Sequence, residues 1–173
     1  MNETIKVMHE RRSIRSFTDE EVPRDIIEQI VEAGLWAASG MGRQAPIIVA
    51  ITNRELRDKL CAMNAAIMGK EGFDTFYGGQ VVLVVLADKS VPTYVYDGSL
   101  VMGNLMHAAS SLGVGSIWIH RAKEEFESAE GKAILAELGI EGDYEGIGHC
   151  VLGYAASEPK AAERKEGRVF WAS

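Results

Sequence analysis

A helix without a polar face lies near the middle of this chain. Asp97 can cap a segment running to Leu112 in which Leu100, Val101, Met102, Leu105, Met106, Ala108 and Ala109 occupy most of the circumference. A helix that is apolar all round has to be buried on every side. With 173 residues the chain is one ordinary domain, residues 1–173. One small core rarely surrounds a helix completely, so a second copy of the chain is expected to cover part of it.

The remaining elements alternate in type around that helix. Short apolar runs at 47–51, 81–87, 116–120 and 148–155 have the length and composition of strands, and Val81–Ala87 is apolar on both faces. Helical spacing recurs from about Thr4 to Glu10, from Pro23 to about Ala38, over 54–69 and from Glu124 to Leu138. Pro23 suits a helix start because its missing N–H would be unpaired there. Residues 159–173, with Lys160, Arg164, Lys165 and Arg168, look like a C-terminal arm outside the core.

Several functions are disfavoured by composition. A formal charge of −7 argues against nucleic acid as a general partner, since phosphate backbones demand an excess of Lys and Arg. No run approaches the roughly 20 apolar residues of a membrane span, and Met1-Asn2-Glu3-Thr4 does not open a secretory signal, so a cytoplasmic location is expected. Cys61 and Cys150 have no close partner in sequence and read as small buried hydrophobes. His9, His107, His120 and His149 lack metal-ligand spacing. The Gly-x-Gly pairs at 40–42 and 113–115 open no βαβ unit with an acidic ribose partner.

Against this acidic background Arg11, Arg12 and Arg15 stand within five residues, with Ser13 among them. Forked guanidinium donors and a hydroxyl can meet a phosphate monoester from several sides. The same residues also suit a solvated basic stretch at a helix end, where the dipole favours cations.

The stretch Arg11-Arg12-Ser13-Ile14-Arg15-Ser16-Phe17 resembles the N-terminal signature of the nitroreductase family. Four further segments follow in the family's order: Ala38 to Pro46 with its small residues, Gln44 and Pro46; Asp97 to Leu105; Leu112 to Ile119; and Val151-Leu152-Gly153-Tyr154 with Arg164-Lys165 beyond. The resemblance implies an α+β fold, a mixed central sheet surrounded by helices, in an intertwined homodimer with FMN at the subunit interface. Arg11, Arg12, Ser13 and Arg15 would hold the phosphate and ribityl chain, with Arg164 and Lys165 adding charge from the arm. Ser39, Gly40 and Met41 would approach from the partner subunit, and Gln44 would border the ring.

Main-chain groups of Ile119, His120 and Arg121 would lie near the reactive edge of the ring, where a donor stabilises charge on the reduced flavin. His120 also reads as an ordinary strand-end histidine. Asn64 would send its amide to the pyrimidine edge, although a helical Asn is equally a solvated one. The implied activity is FMN-dependent oxidoreduction without an obligatory protein acid or base. Hydride from NADH or NADPH reaches bound flavin in a ping-pong cycle, and a nitroaromatic, quinone or related planar acceptor is then reduced. The same scaffold also serves dehydrogenation, dehalogenation or flavin breakdown, and a flavin-binding or redox-sensing module without turnover is the third reading. Two departures from the family pattern, Gly42 in place of Asn and a short 69–80 loop, concern the acceptor side of the pocket. Phe73, Phe76 and Tyr77 in that loop read either as a stacking surface for the acceptor or as loop packing.

Overall fold

Residues 1–172 are described by a computed structural model. The chain runs α1 (Glu3–Glu10), α2 (Arg24–Leu35), a single 3-10 turn at Gly40–Gly42, β1 (Pro46–Ile51), α3 (Arg54–Ile67) and β2 (Val81–Asp88). It continues through α4 (Tyr94–Ser111), β3 (Gly115–Ile119), α5 (Ala122–Glu127), α6 (Ala129–Glu137) and β4 (Tyr144–Gly153). The sheet order is β1-β2-β4-β3, and each of these pairings is antiparallel. The α+β architecture is as expected, but the parallel component of a mixed sheet is confined to one bridge, Ser13 to Ser116.

β2 explains the layering. Successive side chains of a strand point to opposite faces. Val81, Leu83, Val85 and Ala87 enter a core with α2 and α4, while Val82, Val84 and Leu86 enter a second core with α3, α5 and α6. Covered on both sides, the strand carries no polar residue before Asp88. Gly146 of β4 lets α5 come close, since a Cβ there would stand 2.2 Å from the Ala122 carbonyl oxygen.

Four boundaries differ from the sequence reading, for local reasons. α2 stops at Leu35, where Trp36 closes the last turn with its N–H on the Glu32 and Gly34 carbonyls. The helix expected from Glu124 to Leu138 is two helices, because the Ser128 hydroxyl accepts from Gly131 N and so starts α6 afresh. β4 begins at Tyr144, four residues before the expected strand. α4 starts at Tyr94, which places Asp97 inside the first turn rather than at the cap.

The all-round apolar helix is half covered by its own chain. α4 buries Val101, Met102, Leu105 and Ala109, but Tyr96 is 73% and Leu100 51% exposed. A Cβ on Gly103 would meet nothing within 4 Å. Positions 96, 100, 103 and 107 fall on one side of the helix and form an open stripe.

Candidate functional site

The arginine cluster is built by the way α1 ends. Arg12 folds its guanidinium back, with Nη1 donating to the carbonyls of His9 at 2.7 Å and Arg11 at 2.8 Å. It thereby satisfies acceptors at the helix C-terminus. The chain then runs beside β3, with Ile14 N donating to Ser116 O at 3.0 Å and the Ile14 side chain buried. Alternation along this extended segment puts Ser13 and Arg15 on the face opposite Ile14. The Arg15 guanidinium is exposed and reaches only the Ser13 carbonyl, at 3.5 Å.

Arg11 differs from its neighbours. Its Nη1 is buried without any hydrogen-bond partner, and so is the hydroxyl of Ser116; both residues line one small cleft with Ile14, Ser110 and Val114. Burial lowers the Arg11 pKa, and the nearby charges of Arg12 and Arg164 lower it further. Cys150 beside it offers no counter-charge, because complete burial pushes its thiol up to about 12. Among the described residues, none of Arg11, Arg12, Arg15, Arg164 and Lys165 has a carboxylate within 4.0 Å. Glu10 and Glu158 also line the cleft without pairing with these cations, so it is a cationic site with one buried donor left open. The donor set and the orphaned atom fit a phosphate group such as that of FMN.

The loop expected to meet a flavin from the partner subunit is held from beneath. Gly40 N donates to Asp97 Oδ1 at 3.0 Å, and the Thr93 hydroxyl donates to Asp97 Oδ2 at 2.9 Å. Ser39 Oγ accepts from Gln44 N at 3.1 Å. Met41, Gly42 and Gln44 all have left-handed backbones, with φ of 55°, 66° and 50°. Two of them are not glycine, so the loop is strained while Met41 stays 88% exposed. A Cβ on Gly40 would fall 2.3 Å from Thr93 Oγ1. Gly40→Ala is therefore expected to displace Thr93 from Asp97 and to cost roughly 1–3 kcal/mol. Thermal denaturation checks this, and an unchanged melting temperature would show that the contact yields freely.

Asn64 corrects an expectation. It is fully buried and turned inward, with Nδ2 donating to His120 O at 2.8 Å and to Glu125 Oε1, and Oδ1 accepting from Arg121 Nε at 3.0 Å. Its amide is thus spent inside the protein rather than offered to a ring. The Phe73 to Tyr77 segment is packed only in part, since Phe73 remains 43% exposed. Phe76 is fully buried, and Phe73 meets Tyr77 edge to face at 5.8 Å. His120 is exposed, Ile119 is buried, and Arg121 takes a left-handed backbone with φ of 77°. Arg164 and Lys165 lie on the exposed arm. The sequence marks Asp97 only as a helix cap and His149 only as a histidine without metal-ligand spacing, and it gives no site role to Ser116 or Glu125.

The Nitroreductase family model matches residues 8–76. A protein of Archaeoglobus fulgidus, provisionally named an NADH dehydrogenase/NAD(P)H nitroreductase, is 28% identical over 169 residues, 91% of this chain and 88% of that protein. An FMN reductase [NAD(P)H] of Bacillus subtilis is 29% identical over 136 residues, which are 68% of this chain but only 53% of that longer protein. A crystal structure of a nitroreductase with bound FMN from Desulfitobacterium hafniense superposes with a TM-score of 0.90 at 26% identity, covering 100% of both chains. The matched segment contains the arginine cluster, the strained 39–44 loop and Asn64, and the backbone likeness extends over the whole chain, so this chain has the nitroreductase fold and resembles that family from end to end.

Proposed function

We propose that this chain binds FMN beside Arg11 and works as an NAD(P)H-dependent flavin oxidoreductase. The observation that carries the reading is the buried, unpartnered Nη1 of Arg11 beside the like charges of Arg12 and Arg164. Arg11, Ser13 and Arg15 hold the phosphate and ribityl chain, with Arg164 and Lys165 adding charge from the arm. Arg12 contributes field more than contact, because its Nη1 is committed to the end of α1. Main-chain groups of Ile119, His120 and Arg121 border the ring. Ser39, Gly40 and Met41 complete the pocket from a second subunit, and Gln44 borders the ring.

When bound, FMN supplies the hydride chemistry that links NADH or NADPH to a nitroaromatic, quinone or related planar acceptor. The protein's part is to bind, orient and polarise. A homodimer accounts for the open α4 stripe and for the exposed Val169, Phe170 and Trp171 of the arm. Among the described residues no helix is long and apolar enough to cross a membrane.

The absorbance spectrum of the purified protein tests the cofactor, and anaerobic titration with NADH and NADPH tests the activity. Flavin bands that bleach with either nucleotide and return with a nitroaromatic or quinone are expected. A colourless protein that also refuses added FMN refutes the reading. His107 gives an independent readout: burial first, and then the Arg11 charge, hold its pKa below the ordinary histidine value. A bound phosphate would offset Arg11, so FMN should raise the His107 pKa in a proton NMR titration. No change on saturation would place the phosphate elsewhere.

A further inference from the structure

Behind the 119–121 turn lies a polar cluster with no contact to solvent. Asn64 of α3, Glu125 of α5 and His149 of β4 are each 0% exposed. Groups of this kind are tolerated in a core only when their bonding capacity is met, and here it is met completely. His149 Nε2 lies 2.8 Å from Glu125 Oε2, and His149 Nδ1 lies 3.3 Å from the Ile119 carbonyl oxygen. Glu125 Oε1 accepts from Asn64 Nδ2, which also donates to the His120 carbonyl at 2.8 Å. Arg121 Nε donates to Asn64 Oδ1. A carbonyl oxygen only accepts, so His149 Nδ1 carries a proton, and one further proton lies between Nε2 and the carboxylate. The pair is neutral overall whichever partner holds it.

The cluster grips three consecutive residues, by the carbonyls of Ile119 and His120 and by the side chain of Arg121. Peptide units are planar, and none in the described chain is cis. In a trans unit the C=O and N–H point in opposite directions. Drawing the Ile119 and His120 carbonyls inward therefore aims the N–H groups of His120 and Arg121 outward. Neither N–H donates to a protein acceptor among the described residues. The left-handed Arg121 is a conformation that persists only where its surroundings over-determine it.

We propose that the buried Glu125–His149–Asn64 cluster positions two outward main-chain donors, His120 N–H and Arg121 N–H, against the developing negative charge of a reduced flavin. The inference rests on the FMN reading given above. Donors fixed in advance stabilise the charged form without reorganising. The three side chains act through the turn, so they are positioning residues.

Bound-flavin midpoint potentials of two variants test this. In Glu125→Gln the new amide can accept from Asn64 and donate to His149 Nε2, so every tie survives and the potential should match wild type. Asn64→Leu cuts the ties to His120 and Arg121. It should weaken binding of reduced flavin about tenfold more than of oxidised flavin, which lowers the two-electron midpoint by about 30 mV. A folded, flavin-loaded Asn64→Leu protein with the wild-type potential overturns the proposal, as does a Glu125→Gln protein shifted by the same amount. Amide hydrogen exchange on the wild-type protein decides the matter even if Asn64→Leu fails to fold. The His120 and Arg121 amides should exchange fast without FMN and become protected when it is added. Slow exchange without FMN, or no protection in a protein that has taken up FMN, also overturns the proposal. A wild-type protein that takes up no FMN refutes the cofactor reading instead, and fast exchange at the two amides would still report how the turn is aimed.

Discussion

Arg11→Met should cost this protein its flavin and little of its stability. A charge-assisted hydrogen bond contributes about 1.5–3 kcal/mol, so FMN affinity should fall roughly tenfold to a hundredfold. The opposite sign is expected for the FMN-free fold. Arg11 Nη1 is buried with nothing to bond, and its pKa is lowered by burial and by like charges, so the guanidinium is a liability until an anion arrives. Methionine keeps most of the apolar stem and removes the charge. The FMN-free variant should therefore melt at or above the wild-type temperature, while the FMN-induced rise in melting temperature shrinks. Arg11→Lys should fall between, since it restores the charge without the fork. Fluorescence titration of FMN beside thermal melts checks both halves. Unimpaired affinity removes Arg11 from the phosphate site, and a large loss of FMN-free stability makes it a structural residue.

That pairing of a functional gain with a local cost shows what the sequence could convey. The two-sided apolar run at Val81–Ala87 announced a strand covered on both faces, and β2 occupies that place between the two cores. Pro23 marked a helix start to within one residue, since it is the N-cap and α2 begins at Arg24. Cap chemistry was harder to read. Asp97 has the side chain of an N-cap, yet Thr93 occupies the cap position, and Asp97 instead receives Gly40 N from 57 residues away. Local propensity holds no record of such a distant partner. Ser128 splits the acidic segment for a similar reason, as a hydroxyl suits a helix interior poorly and a fresh cap well.

The candidate site follows the same division. Arg11 to Arg15 were legible because charge density in an acidic chain is a property of the sequence itself. Which arginine meets a ligand was not legible, because Arg12 and Arg11 differ only in how the end of α1 uses them. Asn64 was noticed for the wrong bond, since its partners Glu125 and His120 lie 61 and 56 residues away. Glu125 looked like one more solvated carboxylate in an acidic helix, and only the packing of α5 against β4 turns it inward.

The largest single effect is expected from Leu100→Arg on the open stripe of α4. If a second copy covers that stripe, the two-fold axis makes the contact isologous, so each substitution occurs twice in one interface. Two unpaired guanidinium groups placed against apolar surface, with two leucines withdrawn, should weaken association by at least about 4 kcal/mol, or roughly a thousandfold. The fold of each chain should survive, because Leu100 is 51% exposed in the isolated chain and supports little of its core. Sedimentation should move from two copies of the 18.9 kDa chain to one, with an unchanged circular dichroism spectrum. Flavin should leave at the same time, since the strained Ser39 to Gln44 loop of one subunit would no longer reach the Arg11 cleft of the other. A Leu100→Arg protein that stays dimeric puts the interface on another face. A monomer that retains FMN at wild-type affinity shows that the cleft is complete within one chain and that the loop serves something else.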